Sequence, residues 1–313
     1  MKSNLVVRTS LTRSVALLAT FLGTLFSSTL ATAQVTHYVD NIDACKGRLP
    51  CYSTITDAVN AAAPSDSIRI FPGVYHESVS IGFGKDNLVL RAQAKAQPPV
   101  ITSFVTIVGS HNVQVSHLIL ERGLLLGGGT SGALVEGNLI SAGAINLIHT
   151  SGVTVRNNTV LAVAGGLKVG IGLNGEVGAC LVEGNRLSNA SIISGSDSVI
   201  SNVIRHNVIR GGGLHFDAGS FVSNTVEGNF VSGSPTDGIF IRVRRGGGGN
   251  LFQRNTSIEN AGCDLNDFDQ SVNVWRDNRF ATKCGGATDE ANSAQRGAPG
   301  SECYRGEAIA KRS

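Results

Sequence analysis

One six-residue pattern constrains the fold of this chain more than any other feature. The pattern is an apolar residue, any two residues, asparagine, any residue and a second apolar residue, and only the copy at 252–257 lacks its last apolar residue. Successive asparagines are 20 to 27 residues apart. The seven asparagines are Asn138, Asn158, Asn185, Asn207, Asn229, Asn255 and Asn278.

The uneven spacing of the repeats indicates a parallel β-helix. A leucine-rich repeat holds its period more tightly, whereas a β-helix accommodates added residues in its side loops. Residues next to the asparagines alternate, as in Val153-Thr154-Val155, which places valines inside and polar groups outside. One coil cannot bury such a face alone, so the pattern predicts stacked coils in an all-β domain.

The repeated asparagines are predicted to have a structural role. Six of the seven preceding residues are glycine, asparagine, histidine or aspartate, which tolerate positive φ, and Arg254 is the exception. This predicts a left-handed corner at each repeat. With coils about 4.8 Å apart, the asparagine side chains can hydrogen-bond to one another in a ladder along the axis.

An α-helix is predicted at 52–63, ahead of the first repeats. The segment 54–57 has the character of a capping box, with aspartate in place of the usual glutamate, and Pro64 ends the helical pattern. Apolar residues follow at helical spacing, namely Ile55, Ala58, Val59 and Ala62. Because a β-helix exposes an apolar end, we expect this helix to cover it.

The two ends of the chain differ in composition from the repeats. Residues 1–33 have the basic start, apolar run and small-residue cleavage site of a signal peptide, so we expect a secreted, periplasmic or cell-envelope protein. Residues 34–284 form the predicted β-helix domain, and 285–313 are a polar tail without periodicity.

The net charge of the whole chain comes from the predicted signal peptide. The sequence has 26 Lys+Arg against 23 Asp+Glu. Removal of residues 1–33 would take away Lys2, Arg8 and Arg13 and no acidic residue, which makes the two numbers equal. The composition therefore does not support binding to nucleic acid or insertion of the mature chain into a membrane.

The six cysteines are interpreted as disulfide partners in an exported protein. Sequence alone leaves fifteen pairings open. Cys45 and Cys51 bracket a short loop before the predicted helix and are the preferred pair. A second candidate pair is Cys263 with Cys284, which leaves Cys180 and Cys303.

Three segments resemble the opening of the pectin-lyase-like superfamily: 52–59, 72–77 and 87–90. The later asparagine-centred coils resemble the right-handed β-helix repeat of its carbohydrate-binding and sugar-hydrolysing members. The resemblance covers residues 36 to about 283 and implies a right-handed parallel β-helix, although that scaffold serves many activities.

Gly73, Tyr75 and Glu77 match the start of pectin methylesterases. The chain lacks the further carboxylate and arginine motifs of those enzymes, and those of polygalacturonases, so neither activity is expected.

A row of outward side chains is the predicted binding site. A second short strand in several coils has a polar middle residue, and stacking would align these residues on one face. The predicted row is Asn146, Lys168, His215 and Arg242, with Asp217 and Asp237 near its upper end. Its cations would suit the carboxylates or sulfates of an acidic polysaccharide. The alternative is that the row is only the polar outside of a strand.

Three classes of function stay open on the sequence. In a lyase, Arg242 or Lys168 would neutralise a uronate while another base removes a proton, and in a hydrolase Asp217 and Asp237 would be the acid and base. A glycan-binding module and an inert scaffold are the alternatives. Aromatic residues, which stack on sugars, are only 5% of the chain, and this weakens every function that involves a glycan. We favour engagement of an acidic polysaccharide by a monomer.

No cofactor or metal is expected, because the histidines are scattered and no Cys-x-x-Cys pair occurs. The segment containing Asp264, Asp267 and Asp269 could offer oxygen ligands to calcium. A solvated acidic turn is the preferred interpretation of this segment.

Overall fold

The computed structural model describes residues 34–162, 168–195, 198–268 and 272–286. The predicted signal peptide, most of the predicted tail, Asp269 and Cys303 lie outside these residues. The described chain forms a parallel β-helix of about nine turns, in which strands pair with strands of neighbouring coils. The sequence-based prediction of an all-β solenoid is confirmed.

Strands occupy three positions around the coil, and each position builds a column. The first column contains Thr36–Val39, Cys51–Tyr52, Ser67–Ile70, Val89–Ala92, Gln114–Ser116, Leu134–Glu136, Thr154–Arg156, Leu181–Glu183, Val203–Arg205, Thr225–Glu227, Gly247–Gln253 and Val272–Arg276. The second contains Val74–Tyr75, Val100–Ile101, Ile119–Leu120, Leu139–Ile140, Thr159–Leu161, Arg186–Ser188, Val208–Arg210, Phe230–Ser232, Thr256–Ile258 and Arg279–Phe280. The third contains Val79–Ile81, Val105–Val108, Gly123–Gly127, Ala144–Ser151, Val169–Gly178, Ser191–Ser194, Leu214–Ala218, Ile239–Val243, Leu265–Asp267 and Lys283–Gly285.

The first and third columns belong to one continuous sheet, and the second column is a separate sheet. The short strands Ser198–Ile200 and Ser220–Val222 join the two columns of the larger sheet. Inward side chains of all three columns fill one apolar core along the axis. This burial follows from the alternation in the sequence, because each coil covers the apolar interior of its neighbours.

Two helical segments precede the regular coils: a 3₁₀-helix at Ala44–Gly47 and the α-helix α1 at Ile55–Ala61. The Thr54 hydroxyl accepts a hydrogen bond from the Asp57 backbone N–H at 3.1 Å, as expected for an N-cap. The Glu77 carboxylate accepts from the Ile55 and Thr56 backbone N–H groups at 2.8 and 2.9 Å. Glu77 thus satisfies two amides that a helix start leaves unpaired and places its charge at the positive end of the dipole.

The predicted asparagine ladder is confirmed in every member. Each of the first six asparagines donates its Nδ2–H to the Oδ1 of the next asparagine at 3.0 to 3.1 Å. The backbone N–H of the donating asparagine also donates to that same Oδ1 atom. The residues before them have positive φ between 53° and 64°, including Arg254. The left-handed corner is therefore required even where the residue type disfavours it.

A second ladder, which the sequence reasoning missed, runs up another corner of the helix. It consists of Asn202, Asn224, Asn250 and Asn273, and each Nδ2 donates to the next Oδ1 at 2.8 to 3.1 Å. The Cys180 backbone N–H donates to Asn202 Oδ1 at 2.9 Å and extends this corner by one coil. Two corners thus hold successive coils in register.

Large aromatic side chains fill the upper part of the core. Phe216 stacks on Phe221 with 4.6 Å between ring centroids, and Phe252 stacks on Trp275 at 4.3 Å. The prediction that Trp275 is a core residue is confirmed, since it is 2% exposed. These rings are therefore not available to stack on a sugar.

Both preferred disulfide pairs are formed, Cys45–Cys51 and Cys263–Cys284. The first lies beside the first coil, and the second links Cys263, just before the strand Leu265–Asp267, to Cys284 in the strand Lys283–Gly285. Cys180 is buried and belongs to no disulfide within the described residues. Burial raises the pKa of its thiol, which makes it a poor nucleophile.

The interpretation of residues 264–269 as a solvated acidic turn is wrong for the two aspartates that the structure describes. Asp264 is 2% exposed and Asp267 is fully buried. Asp264 Oδ2 accepts from the Ala281 and Thr282 backbone N–H groups at 2.8 and 3.0 Å. Asp267 Oδ2 accepts from Trp275 Nε1–H at 3.2 Å. These carboxylates fasten the last coils to one another.

Candidate functional site

The outward side chains of the third column form a single line that we call the central row. Strand pairing fixes its members without ambiguity, because one residue of each coil lies directly above the next. Several of its members are apolar and half-buried, which the predicted polar row did not include. The central row is Ser80, Thr106, Leu125, Asn146, Gly172, Ile193, His215, Phe240 and Asn266.

The strand pairing contradicts part of the predicted alignment. Asn146 and His215 lie in the central row as expected. Arg242 does not, because Phe240 is the residue above His215 and Arg242 pairs with Asp217 two positions further along the strand. Lys168 is also outside the row. It is exposed and precedes Val169–Gly178, whose Gly172 occupies the row position.

The upper end of the face carries an arrangement that we call the end cluster, defined as Asp217, Phe240, Arg242, Arg244 and Phe268. Both arginines hydrogen-bond to the one carboxylate of Asp217: Arg242 through Nε at 3.0 Å and also Nη2, Arg244 through Nε at 3.1 Å and Nη2 at 2.9 Å. The Arg242 guanidinium carbon lies 5.9 Å from the Phe240 ring centre and 5.7 Å from that of Phe268. The cluster therefore combines one net positive charge with two aromatic rings.

Asp217 is held in its ionised form. The hydrogen bond from Arg242 is the largest cause that lowers its pKa below the ordinary value of 3.8, with Arg244 adding to the effect against partial burial. A general acid needs a carboxyl group that stays protonated near neutral pH. Asp217 is thus suited to orienting the two arginines and not to donating a proton.

The other predicted acid, Asp237, is engaged in hydrogen bonds. Its carboxylate accepts from the Cys263 backbone N–H at 2.7 Å and from Asn266 Nδ2–H at 3.0 Å. Its backbone carbonyl lies 2.8 Å from His215 Nε2, so that nitrogen donates. Burial lowers the pKa of His215, which leaves the imidazole neutral at pH 7. His215 consequently does not supply the cation expected from the sequence.

A cavity of about 440 Å³ lies on the same face near its other end, and we call it the Phe104 pocket. Phe104 is 49% exposed, and the Arg122 guanidinium carbon lies 6.0 Å from its ring centre. Four members of the central row line this pocket, namely Ser80, Thr106, Leu125 and Asn146. An arginine beside an exposed phenylalanine thus occurs at both ends of the face.

The distance between the two ends follows from the strand pairing. Six coil steps separate Thr106, in the Phe104 pocket, from Phe240 in the end cluster. At roughly 4.8 Å per step, the face is about 29 Å long between these residues. Such a line is longer than a small-molecule pocket and has the dimensions of a site for an extended chain.

A larger cavity of about 610 Å³ lies around the corner from the central row, after the kink at His149. His149 and Glu176 line it, and His149 Nδ1 accepts a hydrogen bond from the Glu176 backbone N–H at 3.3 Å. Ser151 and Ser198 supply hydroxyl groups. The cavity is larger than the Phe104 pocket, yet the described residues that line it include no phenylalanine, tyrosine or tryptophan.

The residues that the structure describes contain neither a candidate metal-binding cluster nor a candidate membrane-spanning helix. Within them, no group of three or more histidine, cysteine, aspartate or glutamate side chains is placed to hold a metal ion. The same ranges contain no helix with the length and apolar character needed to span a bilayer.

Comparison with known proteins gives similarity at the level of the fold. No protein-family profile and no curated protein matches the sequence. A pectate lyase is 16% identical, with 83% of this chain and 82% of that chain covered and a TM-score of 0.49. An alginate lyase from Paenibacillus sp. str. FPU-7 is 12% identical, with 80% and 98% covered and a TM-score of 0.48. A pectin methylesterase solved with a hexasaccharide is 13% identical, with 80% and 90% covered and a TM-score of 0.44.

The chain has the parallel β-helix fold that the sequence repeats predict, as its own strand pairing shows. At these identities and TM-scores the solved structures carry no argument about the activity of this chain. The activity must be argued from the residues of the central face, because this scaffold supports many unrelated functions.

Proposed function

We propose that this protein is exported and binds an acidic polysaccharide along the central face, without cleaving it. The observation that carries the proposal is the end cluster, where the Arg242 guanidinium carbon lies 5.9 Å from the Phe240 ring centre and 5.7 Å from the Phe268 ring centre, and Arg244 is more than half exposed. Aromatic faces pack on sugar rings, and arginine recognises carboxylate and sulfate groups in a bidentate manner. The Phe104 pocket repeats the combination.

The character of the central row supports a bound polymer. Leu125 and Ile193 are half-buried apolar residues, and Gly172 is buried against the side chain of Asn146, its neighbour in the row. A Cβ at Gly172 would lie 2.4 Å from Asn146 Oδ1, so glycine is needed for this close approach. The face thus offers a shallow apolar track with cations at its two ends.

Binding without cleavage is supported by the state of the titratable groups. Asp217 is ionised between two arginines, and His215 is neutral and donates to a backbone carbonyl. Asp237 already accepts two hydrogen bonds from the protein. Asp217 therefore lacks the protonated form of a general acid, and the Asp217 and Asp237 carboxylates and His215 Nε2 are already engaged in hydrogen bonds within the protein.

Export is supported by two disulfides, which persist in oxidising compartments, and by the signal-peptide pattern of residues 1–33. We also propose that α1 covers the first coil. Its Ile55, Ala58 and Val59 are buried in the common core. A cap of this kind would protect the apolar end of the stack from aggregation.

The proposal can be tested with an array of uronic, sulfated and neutral polysaccharides. We expect the mature protein to bind acidic polymers, with affinity that falls as salt rises, because exposed charges are screened over about 10 Å at 0.1 M ionic strength. A Phe240→Ala, Arg244→Gln variant should bind more weakly. The matched control is Phe230→Ala, Arg210→Gln, since Arg210 lies 5.1 Å from the Phe230 ring centre on a different face.

The results separate the three classes of function. Equal binding by the two variants would exclude the end cluster as the site. Absence of binding to every polymer would favour an inert scaffold. Release of unsaturated uronides, followed by ultraviolet absorbance, would show a lyase, and a His149→Gln variant would then test the larger cavity as its centre.

A further inference from the structure

A second line of side chains, on the outside of the first strand column, has an unusual charge pattern. Strand pairing places one residue of each coil in register, and we call this line the arginine–glutamate row. It lies on a different strand column from the central row. Its members are Tyr38, Arg69, Arg91, Ser116, Glu136, Arg156, Glu183, Arg205, Glu227, Gln253 and Arg276.

From Glu136 to Glu227 the row alternates in sign, and its charges pair. Arg156 Nε lies 3.1 Å from Glu136 Oε1, and Arg205 Nε lies 2.8 Å from Glu183 Oε1. Opposite charges directly across two neighbouring strands stabilise a sheet, whereas like charges in that position destabilise it. This part of the row satisfies its own charges.

The N-terminal end of the row breaks this rule. Arg69 and Arg91 are neighbours in register, so two like charges lie directly across from each other. Within the described ranges, neither guanidinium has an ion pair or a hydrogen bond to the protein. The Nε atoms of both are buried without an acceptor. Both side chains are half-buried overall, so part of each guanidinium still faces solvent.

The surroundings of this arginine pair are also positive. The Arg48 guanidinium carbon lies 5.7 Å from the ring centre of Tyr38, the neighbour of Arg69 in the row. Burial is the largest cause that lowers the pKa of His117. The positive charges of Lys95 and Arg91 lower this pKa further, whereas the negative charge of Glu136 raises it. The positive field therefore extends beyond the two arginines.

We propose that Arg69 and Arg91 form a binding site for an oxyanion, such as a sulfate, phosphate or carboxylate group. An anion across the two guanidinium groups would cancel their repulsion and replace the acceptors that the protein does not provide. A half-buried guanidinium has lost part of its hydration, which makes such a partner worth more than it would be at a fully exposed site. This site is separate from the polysaccharide face, and neither proposal requires the other.

The test is isothermal titration of the mature protein with sodium sulfate, against sodium chloride at matched ionic strength. We expect saturable sulfate binding that an Arg69→Gln, Arg91→Gln variant weakens by about tenfold or more, as befits the loss of charge-assisted hydrogen bonds. Arg205→Gln is the matched control and should bind like the wild type, because Arg205 is already paired with Glu183. No saturable binding by the wild type, or equal binding by the double variant, would overturn the proposal.

A second variant keeps the test decisive if the double variant does not fold. Ser116 lies beside Arg91 in the row. Ser116→Asp would place a carboxylate directly beside Arg91, where it should compete with the anion and weaken sulfate binding. Unchanged sulfate binding by a folded Ser116→Asp variant would contradict the proposal.

The source of the anion is determined with two further probes, inorganic phosphate and a sulfated disaccharide. Tighter binding of the disaccharide than of inorganic sulfate would identify a glycan substituent as the ligand. Tighter binding of inorganic phosphate would identify a small inorganic anion. With either probe, the ligand is assigned to this site only if the Arg69→Gln, Arg91→Gln variant loses the binding.

Discussion

Replacement of Asn207 by alanine tests the asparagine ladder at its centre. Asn207 Oδ1 accepts from the backbone N–H and the Nδ2–H of Asn185, each at 3.0 Å. Asn207 Nδ2 donates to the Val182 carbonyl at 3.0 Å. The substitution therefore leaves two buried donors and one carbonyl without these partners. At about 1 to 2 kcal/mol for each orphaned group, the expected loss is about 3 to 6 kcal/mol.

Two comparisons calibrate this loss. Asn138 is the first member of the ladder. Among the described residues, its Oδ1 accepts one hydrogen bond, which comes from the Leu118 backbone N–H. Asn138→Ala should therefore cost about 2 to 4 kcal/mol by the same estimate. Asn60→Ala changes an exposed position of α1 and should leave the stability almost unchanged.

The assay is urea unfolding combined with hydrogen exchange. A solenoid can unfold in parts, so the urea midpoint alone does not report one free energy. The backbone amide of Asn185 should lose protection in Asn207→Ala and keep it in Asn60→Ala. An Asn207→Ala midpoint equal to that of Asn60→Ala, with Asn185 still protected, would refute the view that the ladder stabilises the coils.

Three further predictions concern single groups. Asp217→Asn should lower the melting temperature at pH 7, because the arginines hold the pKa of Asp217 below its ordinary value of 3.8 in the folded protein. This stabilisation is fully present above pH 3.8 and is lost as the pH falls from there through the folded pKa, so the difference between the two melting temperatures should shrink in acid. A difference that stays constant as the pH falls below 3.8 would contradict the ion-pair account. Replacing both Cys45 and Cys51 by serine should cost about 2 kcal/mol through the short closed loop. An unchanged urea midpoint would show that this staple is unimportant. The Cys180 thiol should react with a thiol reagent only on unfolding, and rapid labelling in native buffer would contradict its burial.

The repeating architecture could be predicted because each coil carries its own signal. The asparagine of each coil and the turn residue before it are local features, and they fix the corner without knowledge of distant contacts. The second ladder repeats at intervals of 22, 26 and 23 residues, the same as the last three intervals of the first ladder. That coincidence could have revealed it. Serines precede Asn202 and Asn224, however, so the residue types that usually mark such a corner are absent there, and Gly249 marks it only before Asn250.

The binding face was harder to predict because its register depends on contacts between coils. Ile239, Ile241 and Val243 are all apolar at alternate positions, so the sequence allows either Phe240 or Arg242 to align with His215. Pairing of Leu214 with Ile239 decides for Phe240. The end cluster was missed for the same reason.

The acidic turn was misinterpreted because its partners are distant in sequence. Asp264 caps the backbone of residues 281 and 282, and Asp267 receives a hydrogen bond from Trp275. Composition alone makes such a segment resemble a solvated loop. Burial of a carboxylate is possible only where several donors converge, and the sequence does not show that convergence.

The central claim is that one acidic polymer extends along the central face from the Phe104 pocket to the end cluster. The most direct measurement is the affinity for a series of uronic acid oligosaccharides of increasing length. We predict that affinity rises steeply once the oligosaccharide can reach across about 29 Å, because the second contact then becomes intramolecular. Phe104→Ala and Phe240→Ala should each remove that rise, while Phe230→Ala should preserve it. An affinity independent of length, or a rise that survives both central-face substitutions, would contradict the account.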